Sequence, residues 1–91
     1  MSAITLPPRL DLGVVQALTQ QIILMRGGPV TLDATGVVHL GGLGLQLLLA
    51  AAQQWRRDGQ DFAVLPRSDE FDRALGLFGL SPDALMNGGA E

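Results

Sequence analysis

Few side chains in this chain could do chemistry, and they gather around one stretch. Asp33, Thr35 and His39 lead into Gly41-Gly42-Leu43-Gly44, and Ser68 stands at a later junction of the same kind. Bare amides at Gly41-Gly42, opening a helix, suit an anion because the helix dipole is positive there. A phosphate loop would also carry Lys followed by Ser or Thr, and none follows, so the bland reading is a tight turn. Asp33 could act as a base or a metal ligand, yet catalytic carboxylates work in pairs whose surroundings push their pKa values apart. A lone Asp at a strand end reads instead as a cap or loop anchor. His39 is the only histidine and cysteine is absent, so an ordinary zinc site cannot be completed and no nucleophile motif stands beside it. It reads as a loop or partly exposed residue. Ser68 is expected to cap a helix. Ser68 and Thr35 are also the hydroxyls on that rim open to regulatory phosphorylation. Neither a metal nor a cofactor is expected.

Ala3 to Leu6 alternates as a short strand, and Pro7-Pro8 then blocks both a helix and central ladder pairing. Asp11 is the expected N-cap of a helix to about Arg26, with Val15, Leu18, Ile22 and Met25 on one stripe. Gly27-Gly28-Pro29 stops it. Val30 to Asp33 reads as a buried strand, Ala34-Thr35-Gly36 as a loop, and Val37 to Leu40 as a short extended piece. A helix from Leu43 to about Arg57 follows, free of proline and rich in Leu, Ala and Gln. Gly44, Leu47, Leu48, Ala51 and Trp55 share the face assigned to the sheet, Leu45, Leu49 and Ala52 form a shoulder, and Gln46, Gln53 and Arg57 are expected in water. Asp58-Gly59-Gln60 turns the chain into a strand over Asp61 to Leu65, closed by Pro66. Asp69-Glu70 then opens a helix with Phe71, Ala74, Leu75 and Phe78 in a stripe, its acids suiting the dipole. Gly79 ends it, Ser81-Pro82-Asp83 starts a last short helix to about Met86, and Asn87 to Glu91 should fray.

The order strand, helix, strand, helix, strand, helix predicts an α/β fold, with a small, mostly parallel sheet covered by helices. Its 91 residues suit a single domain with a core at about 3–80. Apolar residues make up 47%, enough for a core. Six arginines, no lysine and nine acids give a net charge of −3, which leaves no basic footprint for nucleic acid. The N-terminus lacks a basic start and a long apolar stretch, so it is not a secretory signal, and no run is long enough to span a bilayer. A cytoplasmic protein without direct membrane insertion is expected.

Several short wordings together resemble the STAS domain, the fold of anti-sigma-factor antagonists. They are Leu10-Asp11 before the first helix, Leu32-Asp33 before the glycine junction, Asp58-Gly59 before a strand, Pro66-Arg67-Ser68, and Leu77-Phe78-Gly79-Leu80. The resemblance runs from about Leu10 to Leu80. Leu40-Gly41-Gly42, Leu45-Gln46-Leu47-Leu48-Leu49 and Trp55 with Asp58-Gly59 are similar to the minimal STAS proteins that accompany bacterial chemotaxis kinases. In the family the junction commonly reads Asp, then Ser or Thr, then a small residue, then Gly, and the hydroxyl is a phosphorylation switch. Here Gly44 falls on the family glycine, while Gly41, Gly42 and Leu43 occupy the acidic, hydroxyl and small positions. The resemblance implies a switch loop shaped by Asp33 and lacking its modifiable side chain.

The function so implied is that of a non-enzymatic signalling adaptor in bacterial chemotaxis or related signal transduction. Its partner would be a histidine kinase or an anti-sigma, kinase-like protein. Thr35, Gly41, Gly42, Leu43, Gln46 and Leu49 are the expected contact residues. Two rivals stand beside this reading: an accessory STAS subunit of a lipid-transport ABC system, and a small nucleotide or anion binder, or enzyme, using Gly41 to Gly44 with Asp33 and His39. Exposed leucines also allow a homodimer.

Overall fold

The computed structural model describes residues 2–86. The expected fraying of Asn87 to Glu91 lies outside them. Strands β1 (Ser2–Thr5), β3 (Val30–Ala34) and β5 (Phe62–Arg67) form a parallel sheet in the order β1-β3-β5. Two further short strands, β2 (Arg9–Leu10) and β4 (His39–Leu40), pair in parallel beside it. Helices α1 (Leu12–Leu24), α2 (Gly42–Asp58) and α3 (Asp69–Leu77) follow β2, β4 and β5, and a 3-10 turn spans Pro82–Leu85. The expected α/β architecture with a small parallel sheet is what the chain adopts. No helix among the described residues is long and apolar enough to cross a membrane.

Local chemistry sets most boundaries. The Asp11 carboxylate accepts from the Gly13 amide and caps α1, and the Ser68 hydroxyl accepts from the Phe71 amide and caps α3. Gly59 and Gly79 take left-handed conformations just past α2 and α3, where a Cβ would be strained. β5 differs from expectation, because it continues through Pro66 to Arg67. Leu32 faces Val64 but Ala34 faces Arg67, so two residues stand opposite Asp33. A bulge on an edge strand tolerates a proline that cannot donate to the ladder.

Packing corrects the helix faces in two places. On α1 it is Val14, one residue before the expected Val15, that packs on the core with Leu18, Ile22 and Met25. On α2 the shoulder residues Leu45 and Ala52 are fully in the core beside Leu48, Ala51 and Trp55. The 3-10 turn packs on α2 and β5 with Leu85 fully buried, which supplies the second covering layer. Phe78, expected in the stripe of α3, is 47% exposed.

Opposite the glycine junction the molecule is tied shut. Trp55 stacks obliquely on Phe62 with ring centroids 5.8 Å apart, and its Nε1 donates to the Gly28 carbonyl at 2.9 Å. Arg26 donates twice to the Asp58 carboxylate, at 3.1 and 3.2 Å, joining the turn just after α1 to the end of α2. No polar side chain is buried among the described residues.

Among the described glycines, Gly44 sits in the tightest approach. A Cβ there would sit 2.7 Å from the Leu10 carbonyl oxygen and 2.8 Å from Leu10 Cβ, whereas one at Gly42 meets nothing within 4 Å. Gly44→Ala must push α2 off β2, at a cost of about 1–3 kcal/mol. Gly42→Ala should be neutral or slightly stabilising. Urea melts of the two variants check this, and an unchanged midpoint for Gly44→Ala would contradict it.

Candidate functional site

The carboxyl ends of β3, β4 and β5 meet the amino ends of α2 and α3 on one rim, the place where open parallel sheets commonly take ligands. Its loop, 35–41, is held from both sides. The Pro8 carbonyl accepts from Val38 and His39 at 2.7 and 3.1 Å, and the Leu10 carbonyl from Gly41 at 3.0 Å. From the other side the Ser68 amide donates to the Ala34 carbonyl at 3.1 Å, and its hydroxyl donates to the Val37 carbonyl. Val37 is fully buried between these anchors. The rim is thus a fixed surface built on backbone hydrogen bonds.

Asp33 is a loop anchor, as its position suggests. Its carboxylate accepts from the Thr35 amide at 2.9 Å. That bond, reinforced by the Thr35 hydroxyl, holds its pKa below the ordinary carboxylate value. Thr35 itself is exposed. His39 is exposed on β4, with its ring lying over Gly41: a Cβ added at Gly41 would be 3.5 Å from Nε2. Among the described residues no group of three or more His, Asp or Glu side chains could hold a metal ion.

The two expected phosphorylation candidates part company. The Ser68 hydroxyl is half-buried and spent in both directions, accepting from Phe71 and donating to Val37. A phosphoryl group there would displace both bonds, and the expected role of Ser68 as the cap of α3 is the one the structure shows. Thr35 keeps an accessible side chain.

Of the expected contact residues, Gly41 is half-buried, and Gly42, Leu43 and Gln46 are exposed on the first turns of α2. Leu43 shows 48% of its surface. Leu49 is half-buried and packs against the core further along the helix. Gly41 is the N-cap of α2 and supplies no side-chain hydrogen bond, unlike Asp11 and Ser68 on the other two helices. First-turn amides without a side-chain cap are left to water or to an external acceptor. Beside them lies a groove of about 270 Å³ between β4 and α3, lined by Val38, Leu77 and Phe78 with Glu70 at its edge. Sequence reasoning missed this apolar extension, because Phe78 shares the period of the core stripe and Val38 sits in an apolar run.

No family model, curated protein or solved structure matches the chain. The rim therefore has to be read from its own geometry.

Asp58 joins Asp33 in having a pKa below its ordinary 3.8, chiefly through its hydrogen bond from Arg26. A carboxyl whose folded pKa is depressed stabilises the fold fully above the unfolded value, and that contribution is lost as pH falls through the folded one. Urea midpoints should therefore drop as pH falls below 3.8, and Asp33→Asn and Asp58→Asn should each flatten the drop. If both variants keep the wild-type acid slope, these bonds do not hold the fold.

Proposed function

We propose that this chain is a non-enzymatic STAS-type adaptor, working in the cytoplasm, that docks a histidine kinase or anti-sigma, kinase-like partner on the rim from Thr35 to Gln46. The observation that carries the reading is the uncapped, exposed start of α2. Gly42, in the position where the resemblance places a modifiable hydroxyl, meets nothing within 4 Å of where a Cβ would stand. A partner's acceptor can approach the amides of that turn without steric hindrance, and Leu43 beside them offers apolar contact. Glycine cannot be phosphorylated, so the surface stays receptive at all times. Occupancy would then follow the partner's abundance and its affinity, with no covalent off-switch at this position.

The rigid seating of the loop supports docking over chemistry. A surface held by backbone bonds to Pro8, Leu10 and Ser68 costs little ordering when a partner binds. Asp33, the carboxylate nearest the junction in sequence, is engaged in shaping the loop.

Gly42→Asp makes a clean test, because an acidic residue in a first helical turn suits the dipole and leaves the fold intact. Immobilised wild-type chain and a Gln53→Glu control, altered about three turns further along α2, should both retain a kinase-class protein from the native cell extract. Gly42→Asp and Leu43→Arg should retain it about tenfold less, equivalent to ~1.4 kcal/mol. Equal retention by Gly42→Asp removes this rim from the account, and capture of a transporter ATPase instead would favour the lipid-transport rival. A rise in melting temperature with nucleotide or phosphate would favour the small-ligand rival.

A further inference from the structure

We infer that the chain forms a twofold dimer by pairing β1 with β1 of a second copy, with the two α1 helices facing each other over the joined sheet. The first observation is the bare edge. β1 ends the strand order, and its residues from Ala3 to Thr5 carry no charge, no proline and no bulge, the devices that normally keep such an edge from pairing. The opposite edge has them: β5 carries a bulge, Pro66 and Arg67. One edge of this sheet is protected and the other is left able to pair.

The second observation is the surface beside that edge. Two grooves, of about 430 and 320 Å³, run between β1 and α1 and share Thr5 and Gln21. Together they make one trough along the strand. No residue lining either groove is ionisable, and Leu24, Ala17, Pro7 and Pro8 make much of its wall apolar. Helix α1 itself has no ionisable residue from Leu12 to Leu24, while Leu12, Ile23 and Leu24 are 74%, 53% and 80% exposed. The other two helices differ, since α2 ends on Arg56, Arg57 and Asp58 and α3 carries Asp69, Glu70, Asp72 and Arg73.

The absence of charge is what selects a second copy as the occupant. In a twofold contact the same patch lies on both sides, so an ionised group near the axis meets its own like charge. An acidic or basic partner would be recognised by opposite charge, and the trough offers none. A neutral patch is self-complementary, and an unprotected strand edge supplies main-chain donors and acceptors in matching antiparallel order. Because the trough is on the β1 and α1 side, this dimer does not depend on the adaptor reading of the rim.

Light scattering after size exclusion, run on the full chain from micromolar to millimolar concentration, should give a mass rising to twice that of one chain. Hydrogen exchange should slow at the β1 amides over the same range. Gln21→Glu and Gln21→Lys, both at an exposed position that leaves the core untouched, should each be monomeric, and an equimolar mixture should recover the dimer. Sodium chloride should leave the wild-type dimer in place, since no ion pair lies in the contact. A chain that stays monomeric at millimolar concentration overturns the proposal. So does a dimer that survives both substitutions, or one that salt dissociates.

Discussion

The contact between Gly44 and the backbone of Leu10 is the constraint on which the rest of the structure depends. Leu10 presents its carbonyl and Cβ where an ordinary residue on α2 would place its own Cβ, so the helix can settle only with glycine at this point. The same Leu10 carbonyl accepts from the Gly41 amide at 3.0 Å. One short strand residue therefore sets both the depth of α2 and the start of its first turn. Once α2 is down, Leu45, Leu48, Ala52 and Trp55 reach the sheet, and the exposed Gly42 and Leu43 are left at the rim. Depth in the core and openness at the junction are two results of one approach.

Much of this is written in local sequence. Asp11 and Ser68 are short polar residues just ahead of apolar-periodic runs, and each caps the helix it precedes. Gly59 and Gly79 stop helices because a left-handed residue is needed there. Asp33 reads as an anchor because nothing near it in sequence could make it a catalyst. Tertiary facts were not legible in the same way. How much of the shoulder of α2 is covered depends on where the 3-10 turn packs, and no periodicity within α2 encodes that. Pro66 punctuates a strand in one dimension, yet an edge position and a bulge let β5 run through it. Ser68 could be recognised as a cap, but its bond to Val37, 31 residues away, is a fact of the fold.

The two ends of the sheet have different characters, and this bears on function. At the far end side chains close the structure: Arg26 on Asp58, and Trp55 on Gly28 and Phe62. At the rim most ties run between backbone groups, to the carbonyls of Pro8, Leu10 and Ala34, and the side chains that hold the loop are Asp33, Thr35 and Ser68. Leu43 and Gln46 can vary without loosening the loop beneath them. A docking surface needs that separation, since specificity can then change while the frame stays fixed.

Glycine at the start of α2 sharpens the point. A hydroxyl at the N-cap, Gly41, could accept from a first-turn amide. Ser68 illustrates this on α3, because its oxygen is consumed by the Phe71 amide and its proton by the Val37 carbonyl. With glycine at the N-cap the first-turn amides of α2 remain donors without a side-chain partner of their own. The cost of an uncapped helix end, about 1 kcal/mol, is carried by the burial of Leu48 and Trp55 further along the same helix. The chain caps α1 and α3 with side chains and leaves the exposed start of α2 without one, so the amides of that turn are satisfied by water or by an external acceptor.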